Sequence, residues 1–579
     1  MDIPPTQLPH GGLSLVRGLQ TPELFQLTFG QLVDQQAARY GHKDAVLVGW
    51  TNARLSFQDL SLRTKELARG LLAMGVGKGD RIAILSGDDE RVIELFFAAG
   101  RIGAVLVVLN KTYTVNECMR ALDHTELKNP DPSILFIADV VNRRSVLPIL
   151  DQLQTLQRSL RQVVLVRWDE VPIRSEITWD HVLQGASSMS AERLEEVQAS
   201  VDINSVVNFQ FTSGTTGSPK ATMLSHFNVI NNGFMIGEYL QLTHDDVLCC
   251  APPLFHCFGL VAGLMATFTH GAAIGFAGRD FDPAQVVDLL VRERCTALHG
   301  VPTMYIAILK HLDKIGVTID TIRTGIAAGT KVPPALISEI QERLGYQFVG
   351  NTYGMTETSP ASFMTSVSDT LDQQLYTVGR VMPHVTAKVV DQENRILPVG
   401  ARGELCVSGY LLQQGYYNNP DKTAEVMIRD ENGVLWMHTG DEATIDEHGY
   451  CRITGRIKDI IIRGGENIYP LEIEEQILSH PTISNVSVVG LKDERYGEAV
   501  AAFMQIRPGH DKPSHEAIRG WVHDELGRHK APQHTFWLGP GEMITEYPVT
   551  GSGKIRKEVL REIGNRILEQ SEARPAAKL

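Results

Sequence analysis

Short apolar runs alternate with amphipathic helical periods through the first two thirds of the chain. A capping-box-like start at Ser56 precedes leucines at helical spacing, and the apolar residues 81–85 that follow predict a strand. Residues 90–99 predict a helix, and residues 103–109 are apolar throughout, as in a strand buried on both faces. The same order of elements returns over residues 281–350. The pattern therefore predicts an α/β fold with parallel sheets.

Near Val381 the pattern changes to short alternating strands separated by glycine turns. A second change follows Lys458, where a hairpin, a helix, two strands and another helix form a unit of about 110 residues. We predict a large N-terminal domain (residues 1–457) of parallel α/β subdomains with a small β subdomain. A small, mobile α+β C-terminal domain (458–569) and a tail (570–579) complete the chain.

The densest cluster of small and hydroxylated residues occupies positions 212–220 and reads Thr-Ser-Gly-Thr-Thr-Gly-Ser-Pro-Lys. It follows a predicted strand at 205–211 and precedes a helix that Ser225 can cap, which gives the order strand, loop, helix. Glycines allow close backbone approach, hydroxyls donate hydrogen bonds and Lys220 adds positive charge, so the loop suits a polyphosphate. It is not a Walker loop, because two residues separate Gly217 from Lys220. A solvated turn is the alternative.

Composition narrows the classes of partner. The 579 residues carry 54 Lys+Arg against 68 Asp+Glu, a formal charge of −14, which argues against nucleic acid or an anionic membrane as partner. The seven scattered cysteines contain no Cys-x-x-Cys pair, so we expect reduced thiols in an intracellular protein and no zinc site. No apolar run is long enough for a membrane span, and the N-terminus lacks the pattern of a secretory signal.

Residues 212–220 resemble the phosphate loop of the adenylate-forming superfamily, which comprises acyl-CoA synthetases, peptide-synthetase adenylation domains and luciferases. Four further stretches agree in the expected order, so the resemblance covers nearly the whole chain. Residues 253–259 and 323–329 most resemble the medium-chain acyl-CoA synthetase branch. Two positions depart from the common pattern, Ala221 in place of Gly and Ala328-Gly329 in place of Ala-Pro, and neither removes a catalytic group.

The resemblance implies roles for individual side chains. In the motif at 351–357, Tyr353 would lie against adenine, Thr356 would contact the α-phosphate and Glu357 would bind Mg²⁺, which proteins hold with one or two carboxylates. Asp441 would accept hydrogen bonds from both ribose hydroxyls, with Arg456 beside the ribose and phosphate. The implied ATP- or AMP-binding residues are Thr212, Ser213, Gly214, Thr215, Thr216, Gly217, Lys220, Tyr353, Asp441 and Arg456.

Further roles follow from the same resemblance. Arg463, Gly464 and Gly465 match a loop that binds CoA during thioester formation, and Lys458 matches the hinge of the small domain. His256 matches a gate between the acyl and pantetheine tunnels, although a lone His in an apolar run is more often a core residue. The implied catalytic residues are Lys554, Thr356, Glu357 and His256.

The implied reaction is ATP-dependent activation of a carboxylic acid, with a fatty or other apolar acyl group, followed by transfer to CoA. The protein would contribute positioning and charge stabilisation and would need no covalent nucleophile. An enzyme that loads a separate carrier protein, a luciferase-like oxygenase and a nucleotide-binding regulator without catalysis are the alternatives. Intact Lys220, Glu357, Asp441, Arg456 and Lys554 argue against the regulator.

The final residues Ala577-Lys578-Leu579 are similar to the Ser-Lys-Leu peroxisomal address. They predict recognition by the peroxisomal import receptor, and a cytoplasmic protein if they are an ordinary frayed terminus. A fluorescent protein fused to the N-terminus should therefore mark peroxisomes in fluorescence microscopy. Removal of residues 577–579 should disperse the signal, and a diffuse signal from the intact fusion would contradict the prediction.

Overall fold

The computed structural model describes residues 9–125, 134–155, 162–167, 177–212, 220–329, 332–550 and 554–572. Five phosphate-loop candidates lie outside these ranges: Ser213, Gly214, Thr215, Thr216 and Gly217. The tripeptide 577–579 also lies outside them. The roles predicted for these residues stay predictions.

The first sheet is buried on both faces, as the apolar runs predict. From edge to edge its strands are Ile177–Thr178, Gln162–Leu165, Ile134–Ile137, Arg81–Leu85, Val105–Val108, Val206–Thr212 and Lys220–Ser225. All neighbours pair in parallel except the last two strands, which are antiparallel. Ile82 and Ile84 enter one hydrophobic core, and Ala83 and Leu85 enter another on the opposite face. The sheet is therefore the middle layer of an α/β sandwich.

The order strand, loop, helix predicted around residues 205–226 is wrong by one element. Lys220–Ser225 forms an edge strand antiparallel to Val206–Thr212 before the helix His226–Tyr239 begins. Pairing gives the backbone of this segment hydrogen-bond partners that a buried loop would lack. The helix start itself is confirmed, because Ser225 Oγ accepts a hydrogen bond from the Asn228 backbone N–H at 3.1 Å.

The second sheet has the same design. Its strands in order are Phe348–Gly350, Thr324–Ile326, Ala297–His299, Val247–Cys250, Ala273–Phe276, Asp44–Val48 and Ala53–Ser56. Pairing is parallel as far as Asp44–Val48 and antiparallel at the final hairpin. Residues 281–350 supply the strands at one side of this sheet, as the repeated pattern predicts.

Helices cover and connect these sheets. The bounds in the first half of the chain are Phe29–Tyr40, Phe57–Ala73, Glu90–Arg101, Val115–His124, Leu147–Thr155, Trp179–Gly185, Ala191–Ala199, His226–Tyr239, Phe258–Met265 (a π-helix), Ala266–His270 and Pro283–Arg292. They continue with Pro302–Ile315, Pro334–Leu344, Leu371–Tyr376, Pro420–Val426, Pro470–Leu478, His515–Leu526 and Lys557–Glu572. Within the described ranges, none of the helices combines the length and apolarity that crossing a membrane requires.

Antiparallel sheets replace the βα units near Val381, as predicted. The third sheet orders Leu15–Arg17, Val385–Val390, Gly403–Gly409, Leu435–Ile445 and Met427–Arg429, with Cys451–Arg456 also on Leu435–Ile445. A small sheet of Thr352–Gly354, Ala361–Met364 and Arg380–Val381 links it to the second sheet, and Val140–Val141 pairs with Arg144–Ser145. Strand Leu15–Arg17 comes from the start of the chain, so the third sheet also anchors the N-terminal segment.

Residues 461–572, hereafter the C-terminal unit, form an α+β structure with its own core. Its sheet orders Glu466–Ile468, Ile461–Arg463, Gly497–Ile506 and Ile483–Asp493, and His534–Trp537 pairs with Gly497–Ile506. Ile473, Val500 and Val522 are buried together between this sheet and two helices. Lys458 lies in the 3-10 turn Ile457–Asp459, which joins the unit to residues 9–456, hereafter the main body. A domain boundary at Lys458 stays a prediction.

Candidate active site

Four elements bring the candidate residues to one place. The strand Thr352–Gly354 carries Tyr353, and the 3-10 turn Thr356–Thr358 that follows carries Glu357. Asp441 and Arg456 are paired in register on neighbouring strands of the third sheet. This cluster lies beyond the carboxyl end of strand Phe348–Gly350 in the second sheet, where ligands of parallel sheets bind.

Asp441 is held from two sides. The Tyr353 hydroxyl donates a 2.6 Å hydrogen bond to Asp441 Oδ2, and Arg456 Nε lies 3.3 Å from Asp441 Oδ1. Burial, followed by the charge of Asp441, raises the pKa of Tyr353 well above its ordinary value, so the hydroxyl stays a donor. Arg456 is 52 % exposed, and a half-exposed ion pair contributes little stability. The ring of Tyr353 and the carboxylate of Asp441 are therefore oriented together.

Glu357 and Lys220 meet at a tyrosine that the sequence analysis missed. The Tyr416 hydroxyl donates a 2.7 Å hydrogen bond to Glu357 Oε1. Lys220 Nζ lies 3.5 Å from the same hydroxyl and 4.5 Å from the centroid of the Tyr416 ring. Burial lowers the pKa of Lys220. Tyr416 lies outside the motifs identified in the sequence, and only the tertiary structure brings it to Glu357 and Lys220.

The donor set around Glu357 fits a magnesium ion. Glu357 is only 5 % exposed, and its carboxylate is fixed by Tyr416. A single oriented carboxylate leaves the remaining coordination to phosphate oxygens and waters, as Mg²⁺ prefers. Thr212 adds a further polar group beside Lys220, its partner in the antiparallel ladder. Thr212 Oγ1 is buried without a hydrogen-bond partner among the described residues, which leaves it available to a ligand.

Lys554 of the C-terminal unit reaches this cluster in the main body. Burial, and then the positive charge of Arg456, lowers its pKa, while Asp441 and Glu357 act in the opposite direction. The Lys554 backbone N–H donates to Thr550 Oγ1 at 3.1 Å, and the Thr550 N–H donates to the Lys554 carbonyl at 2.7 Å. These two hydrogen bonds fix the backbone of Lys554, whose ammonium group faces the main body.

His256 is partly buried beside the same lysine. Its Nδ1 accepts a hydrogen bond from the Phe258 backbone N–H at 3.1 Å. Burial, with a smaller contribution from the charge of Lys554, lowers the pKa of His256 to about 3. The imidazole is therefore neutral at physiological pH and carries its proton on Nε2. A π-helix, a geometry frequent at functional sites, begins two residues later at Phe258.

The structure does not bring the CoA candidates to this cluster. Gly464 and Gly465 are exposed in the turn between Ile461–Arg463 and Glu466–Ile468, and the Gly464 N–H donates to the Tyr496 carbonyl at 2.7 Å. Arg463 lines a different cavity of about 950 Å³. The cationic residues that line this cavity are Arg402, Arg463, Arg519, Arg528 and Lys530. None of the described ATP-site candidates lines it.

Thr356 and Lys458 lie at the edges of the cluster. Thr356 begins the turn that carries Glu357 and contacts Cys257, next to His256. Lys458 is two residues from Arg456, and burial followed by the charge of Arg456 lowers the pKa of Lys458. Thr356 therefore lies next to the segment that carries His256, and Lys458 lies in the connection to the C-terminal unit.

Comparisons with known proteins find matches over nearly the whole length of the chain. A family model described as AMP-binding enzyme matches residues 33–417, and one described as AMP-binding enzyme C-terminal domain matches residues 472–554. The acyl-CoA ligase sidI of Beauveria bassiana is 47 % identical over 568 residues, 98 % of this chain and 97 % of that one. The mitochondrial medium-chain acyl-CoA ligase ACSF2 of Rattus norvegicus is 34 % identical over 570 residues, which are 96 % of this chain and 90 % of that one.

Solved structures share the fold of this chain. ATP-bound MatB from Rhodopseudomonas palustris matches with a TM-score of 0.77 and 27 % identity, over 93 % of this chain and all of that one. The anthranilate CoA ligase AuaEII, in complex with anthranoyl-AMP, matches with a TM-score of 0.80 at 20 % identity, over 95 % of this chain and 99 % of that one. The second likeness shows the fold alone.

Tyr416→Phe should weaken binding of ATP in the presence of Mg²⁺ by about tenfold, because loss of a hydrogen bond to a charged group costs at least about 1.5 kcal/mol. Isothermal titration with ATP over a series of Mg²⁺ concentrations is the measurement. Tyr40→Phe is the matched control, since it also removes one hydroxyl group and its ring packs against Phe57 at 6.1 Å, outside the cluster. Equal affinities for the two variants would contradict the role of the Tyr416 hydroxyl.

Proposed function

The chain belongs to the AMP-binding enzymes and is an ATP-dependent acyl-CoA ligase, and we propose that it activates a fatty or other apolar carboxylic acid at the cluster around Lys554. The observation that carries this proposal is the approach of Lys554, from the C-terminal unit, to Glu357, Asp441 and Arg456 of the main body. Membership in this family of ligases also weighs against the alternative of a regulator without catalysis.

The first step converts the acid to an acyl-adenylate. A carboxylate is a poor acyl donor because oxide is a poor leaving group, and attack on the α-phosphorus of ATP makes that oxygen part of AMP. Lys220, Arg456 and Lys554 supply positive charge where negative charge collects on the phosphates. Tyr353 and Asp441 would hold adenine and ribose, and Thr356 the α-phosphate, so that positioning adds to charge stabilisation.

Glu357 would hold Mg²⁺ at this site. When bound, the ion would neutralise charge on the departing pyrophosphate. The contribution of the chain is the orientation of the carboxylate, which the Tyr416 hydroxyl fixes at 2.7 Å. Because His256 is neutral, it adds no charge beside Lys554. A neutral side chain suits a gate that contacts an apolar acyl chain.

The second step transfers the acyl group to CoA, and the basic cavity supports a site for the CoA phosphates. Arg519 and Arg528 have no carboxylate partner among the described residues, whereas Lys530 pairs with Glu472 at 2.8 Å. Arg463 Nε is buried without a hydrogen-bond partner in the described ranges. Guanidinium groups in this state suit phosphate oxygens. Rotation at Lys458 would then bring Gly464 and Gly465 to the adenylate.

Lys554→Ala should slow adenylate formation by roughly 10² to 10³, by analogy with loss of an oxyanion donor, and should still convert supplied acyl-adenylate and CoA to product. Lys458→Pro should do the reverse, because proline fixes φ at the hinge. Pyrophosphate release and thioester formation are measured separately over a panel of carboxylic acids.

Lys557→Ala is the control for this pair, because it breaks an ion pair with Glu474 inside the C-terminal unit at 2.7 Å. If Lys554→Ala, Lys458→Pro and Lys557→Ala all slow both steps equally, the effects come from loss of stability and the assigned roles are wrong.

Arg519→Ala and Arg528→Ala should each raise the KM for CoA by about tenfold, the effect of one hydrogen bond to a charged group, and leave pyrophosphate release unchanged. Pantetheine, which lacks the nucleotide phosphates, should react equally with variants and unmodified enzyme. Arg566→Ala, on the exposed face of the helix Lys557–Glu572, is the control. An unchanged KM for CoA in both cavity variants would exclude this cavity as the CoA site.

A further inference from the structure

A β-bulge presents the Asp441 side chain. On strand Gly403–Gly409, Glu404 pairs with Glu442 and Cys406 pairs with His438. One residue, Leu405, therefore lies opposite three residues, 439–441, of the neighbouring strand. Bulges near active sites redirect a side chain and leave part of the ladder unpaired. The three bulged residues include Asp441, so the bulge determines where its carboxylate points.

Side chains replace the hydrogen bonds that the ladder loses. The Gly440 N–H donates to Glu404 Oε1 at 3.0 Å, and the Asp441 N–H donates to Thr439 Oγ1 at 3.2 Å. The Thr439 hydroxyl donates in turn to the Leu405 carbonyl at 2.7 Å. Of these groups, Glu404 is the one that reaches across from the opposite strand to hold the backbone of the turn.

Glu404 is itself held in place. Its Oε2 lies 2.8 Å from His438 Nδ1, so the two oxygens of one carboxylate contact the residue before the bulged segment and the middle residue of that segment. The side chains of Glu404 and His438 are 24 % and 11 % exposed, which limits competition from water. Gly440 adopts a φ of +70°, which favours glycine, and its N–H direction is fixed by this conformation.

We propose that Glu404 is a positioning residue that sets the direction of the Asp441 carboxylate toward the ribose hydroxyls of ATP. This inference rests on the ribose role given to Asp441 in the proposed function. Glu404 acts through the backbone of residues 439–441 and does not itself touch the nucleotide. Its loss should therefore weaken recognition of the ribose hydroxyls and leave the contacts to adenine and phosphate intact.

The same cluster has the composition of a metal site, and the test must separate the two. Donor atoms of Glu404, Cys406 and His438 all lie within 4.8 Å of one another. The contacts found already use both Glu404 oxygens, and Cys406 Sγ lies 3.4 Å from His438 Nδ1. A hydrogen-bonded cluster accounts for these distances, and Cys406→Ala should then leave nucleotide binding unchanged.

The test compares binding of ATP and 2′,3′-dideoxy-ATP by isothermal titration in the full-length protein. Glu404→Ala should weaken ATP binding about tenfold and leave dideoxy-ATP binding unchanged, because only ATP offers ribose hydroxyls to Asp441. Glu404→Gln should retain most of the affinity, since the amide oxygen still accepts from Gly440. Equal losses for the two nucleotides, or no loss, in Glu404→Ala would overturn the proposal.

Asp441→Ala distinguishes failure of the positioning role of Glu404 from failure of the ribose-binding role of Asp441. If Asp441→Ala loses affinity for ATP alone while Glu404→Ala does not, only the positioning role is wrong. If Asp441→Ala weakens both nucleotides equally, the ribose assignment itself fails. One equivalent of zinc in the purified protein, lost in Cys406→Ala together with ATP affinity, would overturn the proposal in favour of a metal site.

Discussion

The placement of one ammonium group from the C-terminal unit among charged groups of the main body is the constraint on which the site depends. Burial disfavours the charged form of Lys554, and Arg456 disfavours it further. Asp441 and Glu357 offset both effects. These carboxylates need their own support, which Tyr353 and Tyr416 provide through hydrogen bonds of 2.6 and 2.7 Å. The cluster therefore combines charges of both signs and brings two parts of the chain together.

Much of the fold follows from local sequence. The strand Arg81–Leu85 is predicted to the residue, and the helix Glu90–Arg101 to within two residues of its end, because caps and apolar periods act locally. The hairpin strand Lys220–Ser225 is missed, since its extended conformation depends on pairing with Val206–Thr212. The link between Leu15–Arg17 and Val385–Val390 also has no local signal, because it joins segments far apart in sequence.

The candidate site also contains residues that the sequence identifies and residues that it does not. Motif resemblance identifies Tyr353, Glu357, Asp441 and Lys554, and the structure brings these residues into one cluster. It does not identify Tyr416 or Glu404, which orient two of those side chains. Both supporting residues are remote in sequence from the groups they contact. The Glu404 contact depends on the register of two strands, and the Tyr416 contact depends on the packing of a loop against the turn that carries Glu357, so neither has a local sequence signal.

The distribution of charge gives a physical reason for the two separate sites proposed for ATP and CoA. The chain carries a formal charge of −14, so its surface as a whole repels anionic nucleotides. Two groups of cations lie at the proposed sites, namely Lys220, Arg456 and Lys554 in the cluster and Arg519 and Arg528 at the cavity. Two polyphosphate substrates held in one pocket would repel each other. Separate cationic sites would let ATP and CoA bind without this repulsion, and a hinge between them would allow the two steps to use one acyl group in turn.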